Sequence, residues 1–531
     1  NACAAVAGGW DGCPRLREAS AKLAGFLDRW LLGQGEDTLG QVFTFLYGNL
    51  TCADTQVSGA AAASIRKLCH TCGGKLGEPV LALYEQLSTF PPGHLLPKDE
   101  LKVVEGLAAV ANQLPSEEAR AGAQARLLAP IQAKFAAAAQ VFEAARAQGP
   151  AALASAASDH RRTVLGAAES FQEVARCLTR APEPLASNGQ PGDQAAVRAL
   201  QLIWTAHDAC LQTYSSSADS VERLCRTYKL VIRAAGPSFT PLIPLMASHL
   251  IERFQARPQP AFLYTGSILV TEFGDRRWGG AHDLVLLEMV RTFSASVFQI
   301  LTSIEAFTSQ PEMVEEFFYL VGRLLEYCPA GLLADAALIG SIIQCGVIGL
   351  QIDHRDAHGG IVACFFSMVA AGSTAPRTAD KGAAAVDPRA LGPAVGSLLG
   401  LQGGNLGSLM VGALVKCLTS ERPAYGLEKH KSNPAGVLWK IGRLEQPGGV
   451  PGGVPGGGAL LQQLLTTALN GVDPSVLPAQ DRAGWLQKAL AYNAANDEVG
   501  FFGSVRELHK HCSGRARANA RALLRAQEDR S

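Results

Sequence analysis

Apolar residues recur along most of this chain at three- and four-residue intervals, the spacing of an amphipathic helix, and few stretches alternate as a strand does. Gly and Pro interrupt the pattern at short intervals, so consecutive helices are expected to pack as antiparallel pairs. Because a pair recurs about every 40 residues, the sequence predicts an all-α fold, a superhelical α-solenoid of stacked HEAT-type helix pairs. A globular helical bundle is the structural alternative, since identity between the repeats is weak.

The pattern predicts helices along nearly the whole chain. They span residues 16–32, 37–46, 53–72, 77–87, 101–114, 116–146, 151–180, 194–213, 215–233, 239–255, 282–307, 311–327, 331–348, 354–371, 393–418, 434–444, 459–469, 481–493 and 503–526. Gly73 and Gly74 are expected to join the third and fourth helices as a pair.

Residues 1–531 are predicted to form one continuous C-terminal solenoid. Three segments rich in Pro, Gly or polar residues, near 181–193, 373–388 and 446–458, are predicted to be flexible inserts. The first residue is Asn, and the first turns already resemble mid-domain sequence. The N-terminal repeats of a longer protein are therefore expected to be missing from this chain.

Composition narrows the classes of function. Lys and Arg together number 47, as do Asp and Glu, so no global field favours a nucleic-acid partner. The 13 Cys residues lie mostly inside helical patterns, which indicates reduced, buried thiols in an intracellular protein. The longest uncharged apolar run, 337–352, is shorter than the ~20 residues that span a bilayer, so no membrane contact is expected.

Several short motifs suggest chemistry but lack the residues that would complete it. Cys69 and Cys72 have zinc-site spacing, yet no second pair follows. His509 and His511 lie on different faces of one helix. Residues 353–356 include two acids and a histidine, but they open a helix, where acids are expected to cap and Arg to pair with them. The sequence therefore predicts no catalytic residue, metal ligand or cofactor, and indicates that the chain is not an enzyme.

Residues 215–233 form the helix with the clearest functional pattern. A serine cluster offers its N-cap, and Gly236 with Pro237 ends it. One face is apolar, and the other carries four cations about one turn apart, Arg223, Arg226, Lys229 and Arg233. Because Arg binds phosphate or carboxylate through two parallel hydrogen bonds, this face suits an extended anionic partner.

The same helix also permits a simpler interpretation. Asp219 with Arg223, and Glu222 with Arg226, have the i,i+4 spacing of stabilising ion pairs, so the face is alternatively a solvated, self-neutralised surface. A second basic stripe near the C-terminus favours a solvated last helix, since Arg is stabilising at that end. Its members are Arg515, Arg517, Arg521 and Arg525.

Four segments, in order, resemble transportin-SR and its relative importin 13, a branch of the β-karyopherin family. They lie at 262–274, 352–357, 423–425 and 437–441, and the basic helix resembles the arginine-rich helix of that family. The similarity extends thinly along nearly the whole chain and covers roughly the C-terminal half of the family. The Ala-rich region 118–157 and the three inserts depart from its pattern.

The resemblance implies a HEAT-repeat nuclear transport receptor that shuttles between nucleus and cytoplasm. Its implied partners are phosphorylated Arg-Ser cargo proteins, nucleoporin FG repeats, and Ran-GTP, which binds mainly through the missing N-terminal repeats. The implied cargo-binding residues are Arg223, Arg226, Lys229 and Arg233. Lys229 stands where the family has Arg, and it keeps the charge but not the two-pronged geometry. Alternatives are an importin 13-like receptor for folded cargo and a helical-repeat scaffold without a transport role.

Overall fold

A computed structural model of the chain describes residues 13–87, 95–178, 195–274, 280–373, 388–400, 406–420, 427, 433–444 and 457–528. Helices dominate these residues, and the described ranges contain no strand beyond an isolated bridge between Ser373 and Leu444. The all-α prediction is therefore confirmed. The chain divides into two compact units, Asn1–Pro241 and Leu242–Ser531.

The first unit contains ten α-helices within its described residues. They are α1 (Pro14–Phe26), α2 (Asp28–Leu32), α3 (Glu36–Leu50), α4 (Thr55–Leu76), α5 (Ala82–Leu87), α6 (Pro97–Gln113), α7 (Glu117–Gln148), α8 (Pro150–Leu178), α9 (Ala195–Thr213) and α10 (Ala218–Ala235). A 3₁₀ turn, Glu78–Leu81, precedes α5, and another, Gly236–Leu242, follows α10.

Two layers of helices build this unit. Helices α4, α6, α8 and α10 lie side by side in one row, and α7 and α9 pack on each other and on this row. Phe135 of α7, Phe171 of α8 and Tyr228 of α10 are fully buried between the layers. Each helix contacts mainly the helices next to it in its own row and in the other row, which is the order of a stacked solenoid and not of a bundle around one centre.

Local sequence signals set the helix ends. The Asp54 side chain accepts hydrogen bonds from the backbone N–H groups of Gln56 and Val57, at 2.8 and 3.3 Å, and caps α4. Ser116 caps α7 by accepting from the N–H of Ala119 at 3.0 Å. Helices α1 and α6 begin with Pro, whose missing N–H costs nothing in the first turn.

Gly73 and Gly74 do not join two helices, and that prediction is wrong. Helix α4 runs through both and ends at Gly77, where φ is 62°. The Gln113 side chain of α6 lies against Gly73 and Gly74. The Gly74 N–H donates to its Oε1 at 3.1 Å, and a Cβ on Gly73 would come 2.7 Å from its Nε2. Gly73 therefore allows two helices to approach closely, whereas a Cβ on Gly74 would meet nothing within 4 Å.

The second unit contains fourteen α-helices within its described residues. They are α11 (Ile243–Ala256), α12 (Pro260–Phe273), α13 (Asp283–Ile300), α14 (Ile304–Ser309), α15 (Pro311–Tyr327), α16 (Pro329–Ala334), α17 (Ala336–Gly349), α18 (Arg355–Ala371), α19 (Pro388–Leu399), α20 (Leu406–Thr419), α21 (Pro434–Ile441), α22 (Gly457–Asn470), α23 (Ala479–Ala494) and α24 (Glu498–Glu528).

Stacking in two rows recurs in this unit. Helices α12, α15, α18 and α21 pack in sequence along one row, and α13, α17, α20 and α22 pack along the other. The side chains of Phe262, Phe317 and Phe318 are fully buried. Paired rows of this kind confirm the predicted helix-pair repeat.

The predicted helices 282–307 and 331–348 of this unit are each divided. The predicted helix 282–307 breaks because Leu301 leaves the helical region, with φ −90° and ψ 65°, and Ser303 then caps α14. The predicted helix 331–348 is interrupted at Asp335, whose side chain accepts from a backbone N–H at 3.1 Å and caps α17. In both places a capping side chain competes with continuation of the helix.

Some sequence predictions fall outside the described residues. The insert near 181–193 lies entirely outside them, as do most of those near 373–388 and 446–458. Twelve cysteines are described; all are free and nine of them are buried, in agreement with the expectation of reduced thiols.

One described stretch, Ala218–Ala256, is long and apolar enough to cross a membrane by length and composition. It combines α10, a 3₁₀ turn and α11, and its residues Tyr228 and Phe239 are fully buried in the protein core. A core role explains its apolar composition.

Candidate anion-binding helix

The predicted basic helix is α10, and its ends follow from its own sequence. Ser217 is the N-cap, and its Oγ accepts a hydrogen bond from the N–H of Ser220 at 3.4 Å. Gly236 ends the helix with φ 47°, a backbone conformation that other residues adopt only with strain. The helix is therefore defined by the local signals that the sequence predicted.

The two faces of α10 separate as the periodicity predicted. Leu224, Tyr228, Val231 and Ile232 are completely buried. The hydroxyl of Tyr228 lies 3.2 Å from Nδ1 of the buried His207, which joins α9 to α10. This packing fixes the rotation of α10 about its axis, and thereby fixes which side chains face solvent.

The four predicted cations share the opposite face. The Arg223 and Arg226 side chains are 32% and 51% exposed, Arg233 is exposed, and Lys229 is half-buried. At about 100° per residue these four positions fall within an arc of about 120°. The structure therefore brings all four candidate residues onto one surface, the basic face of α10.

Carboxylates accompany two of these cations. Arg223 forms an ion pair with Glu169 of α8 and lies 3.9 Å from Asp219, one turn earlier in α10. Arg226 pairs with Glu222 at 3.0 Å. The self-neutralised interpretation of the sequence is therefore correct for the local pairs, and Glu169 adds an acid from a neighbouring helix.

A further arginine, Arg161 of α8, also reaches this surface. Its Nη2 lies 2.8 Å from Asp219 Oδ2, and its Nε donates to Ser220 Oγ at 2.7 Å. Gln172, also of α8, donates to the carbonyl of Arg223 at 2.8 Å and so fixes the register of the two helices. Sequence reasoning missed both Arg161 and Glu169, because only the packing of α8 on α10 brings them to the site.

The magnitudes of these contacts decide what the surface can do. Each ion pair is partly exposed to solvent and contributes only about 0–1 kcal/mol. A phosphate group carries a charge of about −1.5 to −2 and three strong acceptor oxygens, and its bonds to guanidinium are among the stronger hydrogen bonds. The resident carboxylates therefore compete weakly with a phosphorylated ligand.

The motifs that the sequence analysis set aside have structural roles. Cys69 and Cys72 are buried in α4, and the described residues hold no group of three or more metal-ligating side chains. In residues 353–356 an acid was expected to cap the helix. The cap is instead the His354 ring, whose Nδ1 accepts from a backbone N–H at 3.3 Å. Near the C-terminus Arg515 pairs with Asp481 at 3.0 Å.

The second unit contains a cavity of 540 Å³ that the sequence did not indicate. His358 Nε2 and Cys417 Sγ lie 3.4 Å apart in its wall, among Val347, Leu350 and Leu409. Burial lowers the pKa of His358 to about 4, so its ring is neutral at physiological pH. So weak a base is poorly suited to take a proton from the neighbouring Cys417 thiol, which argues against an activated nucleophile at this pair.

Stacked helix pairs define the fold of this chain as a helical repeat, and one of its helices carries a cationic face. Residues 195–301 match the family model described as the Transportin-3/Importin-13 fourth TPR domain. The match includes the whole of α10 and its basic face. Helix α8, which supplies Arg161 and Glu169, lies outside the matched residues.

Two individual relatives agree with this match. Transportin MOS14 of Arabidopsis thaliana is 24% identical over 349 residues, 65% of this chain and 33% of that protein. The solved structure of importin 13 in its cytosolic state matches 97% of this chain and 52% of its own, with 14% identity and a TM-score of 0.68. This chain thus spans about a third of the first relative and about half of the second.

The chain is therefore similar to proteins of the transportin-3/importin-13 type, and the match to the family model covers residues 195–301. The importin 13 likeness also confirms the predicted solenoid fold. The printed names of the two relatives are those of a transportin and an importin.

Proposed function

We propose that this chain is the cargo-binding part of a nuclear transport receptor, and that its cargo is a phosphorylated Arg-Ser domain bound along the basic face of α10. One observation carries the proposal: the segment that matches the transportin-3/importin-13 family contains a helix with Arg223, Arg226, Lys229 and Arg233 on one solvent-facing surface. Its opposite face is anchored in the core, so these cations are held in fixed positions.

Binding follows from the charge of the cargo. Phosphoserines carry about two negative charges each, whereas unphosphorylated Arg-Ser repeats are strongly positive and are repelled by this face. Arg223, Arg226 and Arg233 supply the two-pronged donors that suit phosphate, and Lys229 adds a point charge. Recognition therefore depends on phosphorylation and weakens as salt screens the exposed contacts.

Other parts of the proposal come from the family resemblance alone. These are release of cargo by Ran-GTP, contact with nucleoporin FG repeats, and shuttling between nucleus and cytoplasm. No residue of this chain is assigned to them.

The test is a binding measurement with an Arg-Ser repeat peptide in its phosphorylated and unphosphorylated forms. Fluorescence anisotropy is measured for the unmodified chain and for Arg223→Ala/Arg226→Ala/Arg233→Ala. Only the phosphorylated peptide is expected to bind, and the triple variant is expected to lose that binding while its circular dichroism stays unchanged. If the triple variant binds as well as the unmodified chain, α10 is not the cargo site.

A matched control removes the same number of arginines elsewhere. Arg146 and Arg323 are each paired three residues away on their own helices, and Arg506 is exposed on α24. Their combined replacement by Ala is expected to leave binding unchanged. An equal loss in this control would indicate that only the overall charge of the chain matters.

A second candidate function is transport of folded cargo, as in an importin 13-like receptor. The pairing of Arg223 and Arg226 with Glu169 and Glu222 favours it, because part of the basic face is already neutralised. Indifference of the unmodified chain to peptide phosphorylation would support this function, or a scaffold role, over the first.

A further inference from the structure

We propose that Arg161 of α8 is a further anion-binding residue of the basic face, and that Asp219 is an internal counter-ion that occupies the position of a ligand phosphate. The inference rests on the proposed function, because it names a second helix and a competitor within the same site. It concerns residues 58 positions apart in sequence that meet only in the fold.

Two guanidinium groups converge on one oxygen atom. Asp219 Oδ2 lies 2.8 Å from Arg161 Nη2 and 3.9 Å from Arg223 Nη1. An anion placed where this carboxylate lies is therefore within hydrogen-bond distance of Arg161 and within ion-pair distance of Arg223, one from each helix. Asp219 shows the position at which the two arginines accept an anion.

Arg161 is held in this position by a second contact. Its Nε donates to Ser220 Oγ at 2.7 Å, and Ser220 also donates to the capping hydroxyl of Ser217 at 2.9 Å. The Arg161 side chain is nevertheless 41% exposed, so a ligand can reach its remaining donors. An arginine that is already oriented loses less conformational entropy when it binds an anion.

Asp219 is easily displaced from between the two arginines. Its side chain is 63% exposed, so it can rotate into solvent without burying its charge. A phosphate that replaces it brings about twice the charge and three acceptor oxygens. The position also lies at the first turn of α10, where the helix dipole favours an anion.

This arrangement makes the site discriminate between kinds of anion. A carboxylate ligand offers the arginines no more than Asp219 already offers them, so exchange gives no gain. A dianionic phosphate carries a second negative charge, so its interaction with the two arginines is stronger than that of Asp219. Peptides in which Glu replaces phosphoserine are therefore expected to bind poorly, although they also carry negative charge.

The test uses two variants, each with a matched control of the same residue type on α8. Asp219→Asn removes the competing charge and is expected to raise affinity for the phosphorylated Arg-Ser peptide about fivefold, or about 1 kcal/mol. Arg161→Ala is expected to lower it about tenfold. The controls are Asp159→Asn and Arg162→Ala, since Arg162 pairs with Asp159 at 2.7 Å on the surface of the same helix.

Three results would overturn the inference. One is unchanged affinity in both Asp219→Asn and Arg161→Ala when the triple α10 variant loses binding; the proposed function then stands and this extension fails. Another is an effect of equal size in Asp159→Asn and Arg162→Ala. The third is a gain in Asp219→Asn that persists undiminished when Arg161→Ala is added, because the two residues would then not share one anion.

Failure of the proposed function gives a different pattern. If the unmodified chain ignores the phosphorylated peptide, inorganic pyrophosphate replaces it as the probe, and protection of α8 and α10 against hydrogen exchange is measured. If pyrophosphate protects these helices, and Asp219→Asn strengthens this protection while Arg161→Ala abolishes it, the anion position is supported even though the proposed cargo does not bind. Absence of such protection overturns the anion position as well.

Discussion

The affinity of a peptide of fixed length for the basic face of α10 should rise with each phosphoserine up to the third, and little beyond it. Arg223 and Arg233 are ten positions apart, so at about 1.5 Å per residue the basic face of α10 is about 15 Å long. An extended peptide rises about 3.3 Å per residue, which places the phosphates of alternate serines about 6.6 Å apart. Three such phosphates span about 13 Å and fit the face, whereas a fourth extends the span to about 20 Å.

The expected increments follow from the exposure of the cations. A hydrogen bond to a charged group contributes about 1.5–3 kcal/mol, and partial exposure of these arginines reduces the gain to about 1 kcal/mol for each phosphate. The second and third phosphates should each raise affinity about fivefold, and the fourth less than about twofold. Titration calorimetry on peptides with one to four phosphoserines measures this series.

A peptide of equal charge but different spacing provides the control. Three phosphoserines placed four residues apart span about 26 Å at about 3.3 Å per residue, so only one or two of them can meet cations on α10 at once. This peptide should bind more weakly than the one with alternate phosphoserines. Equal affinities for the two spacings, or a fourth phosphate as effective as the third, would refute the argument from helix length.

Two further predictions concern the stability of the fold. Because burial holds the pKa of His358 at about 4 against 6.5 in the unfolded chain, the unfolded state takes up the proton first as pH falls. Acidification from about pH 7.5 to about pH 5 should therefore cost about 2 kcal/mol of local stability, measured by hydrogen exchange in residues 355–371, and His358→Gln should remove most of that loss. Gly106→Ala should destabilise the first unit by about 1–3 kcal/mol, since its Cβ would lie 2.9 Å from the Cα of Arg66. Gly122→Ala, which has open space at the surface of α7, should stabilise it by about 0.5–1 kcal/mol, and thermal shifts of the same sign in both glycine variants would contradict this reasoning.

The basic helix was predictable because its determinants are local. The Ser217 cap, the Gly236 stop and the spacing of buried Tyr228 and Val231 all lie within one segment of sequence. Local signals of this kind act over one or two helical turns, and no other part of the chain overrides them here. The same periodicity placed all four cations on the face opposite the core.

The counter-ions from α8 were not predictable. Glu169 lies 54 positions before Arg223, and Arg161 lies 58 before Asp219. The repeats share too little sequence to define which residue of α8 lies beside which residue of α10. That register depends on tertiary contacts such as the hydrogen bond from Gln172 to the Arg223 carbonyl.

The error at Gly73 and Gly74 has a similar origin. Glycine marks turns in sequence because it tolerates unusual backbone angles, but it also marks positions where a side chain would collide with another helix. Only the position of Gln113, 39 residues after Gly74, distinguishes the two uses. A pattern within one segment contains no information about a side chain of another helix.

The acids among the cations of α10 also have a kinetic consequence. From Ala218 to Ala235 the sequence contains four cations and two acids, so little field extends beyond a Debye length of about 8 Å at physiological salt. Approach of an anionic partner is then barely accelerated by steering, and its association rate stays near the range of about 10⁵–10⁶ M⁻¹s⁻¹ for uncharged partners. Differences in affinity between ligands of this face should therefore appear in their dissociation rates, because the cations act on a ligand only once it is in contact with them.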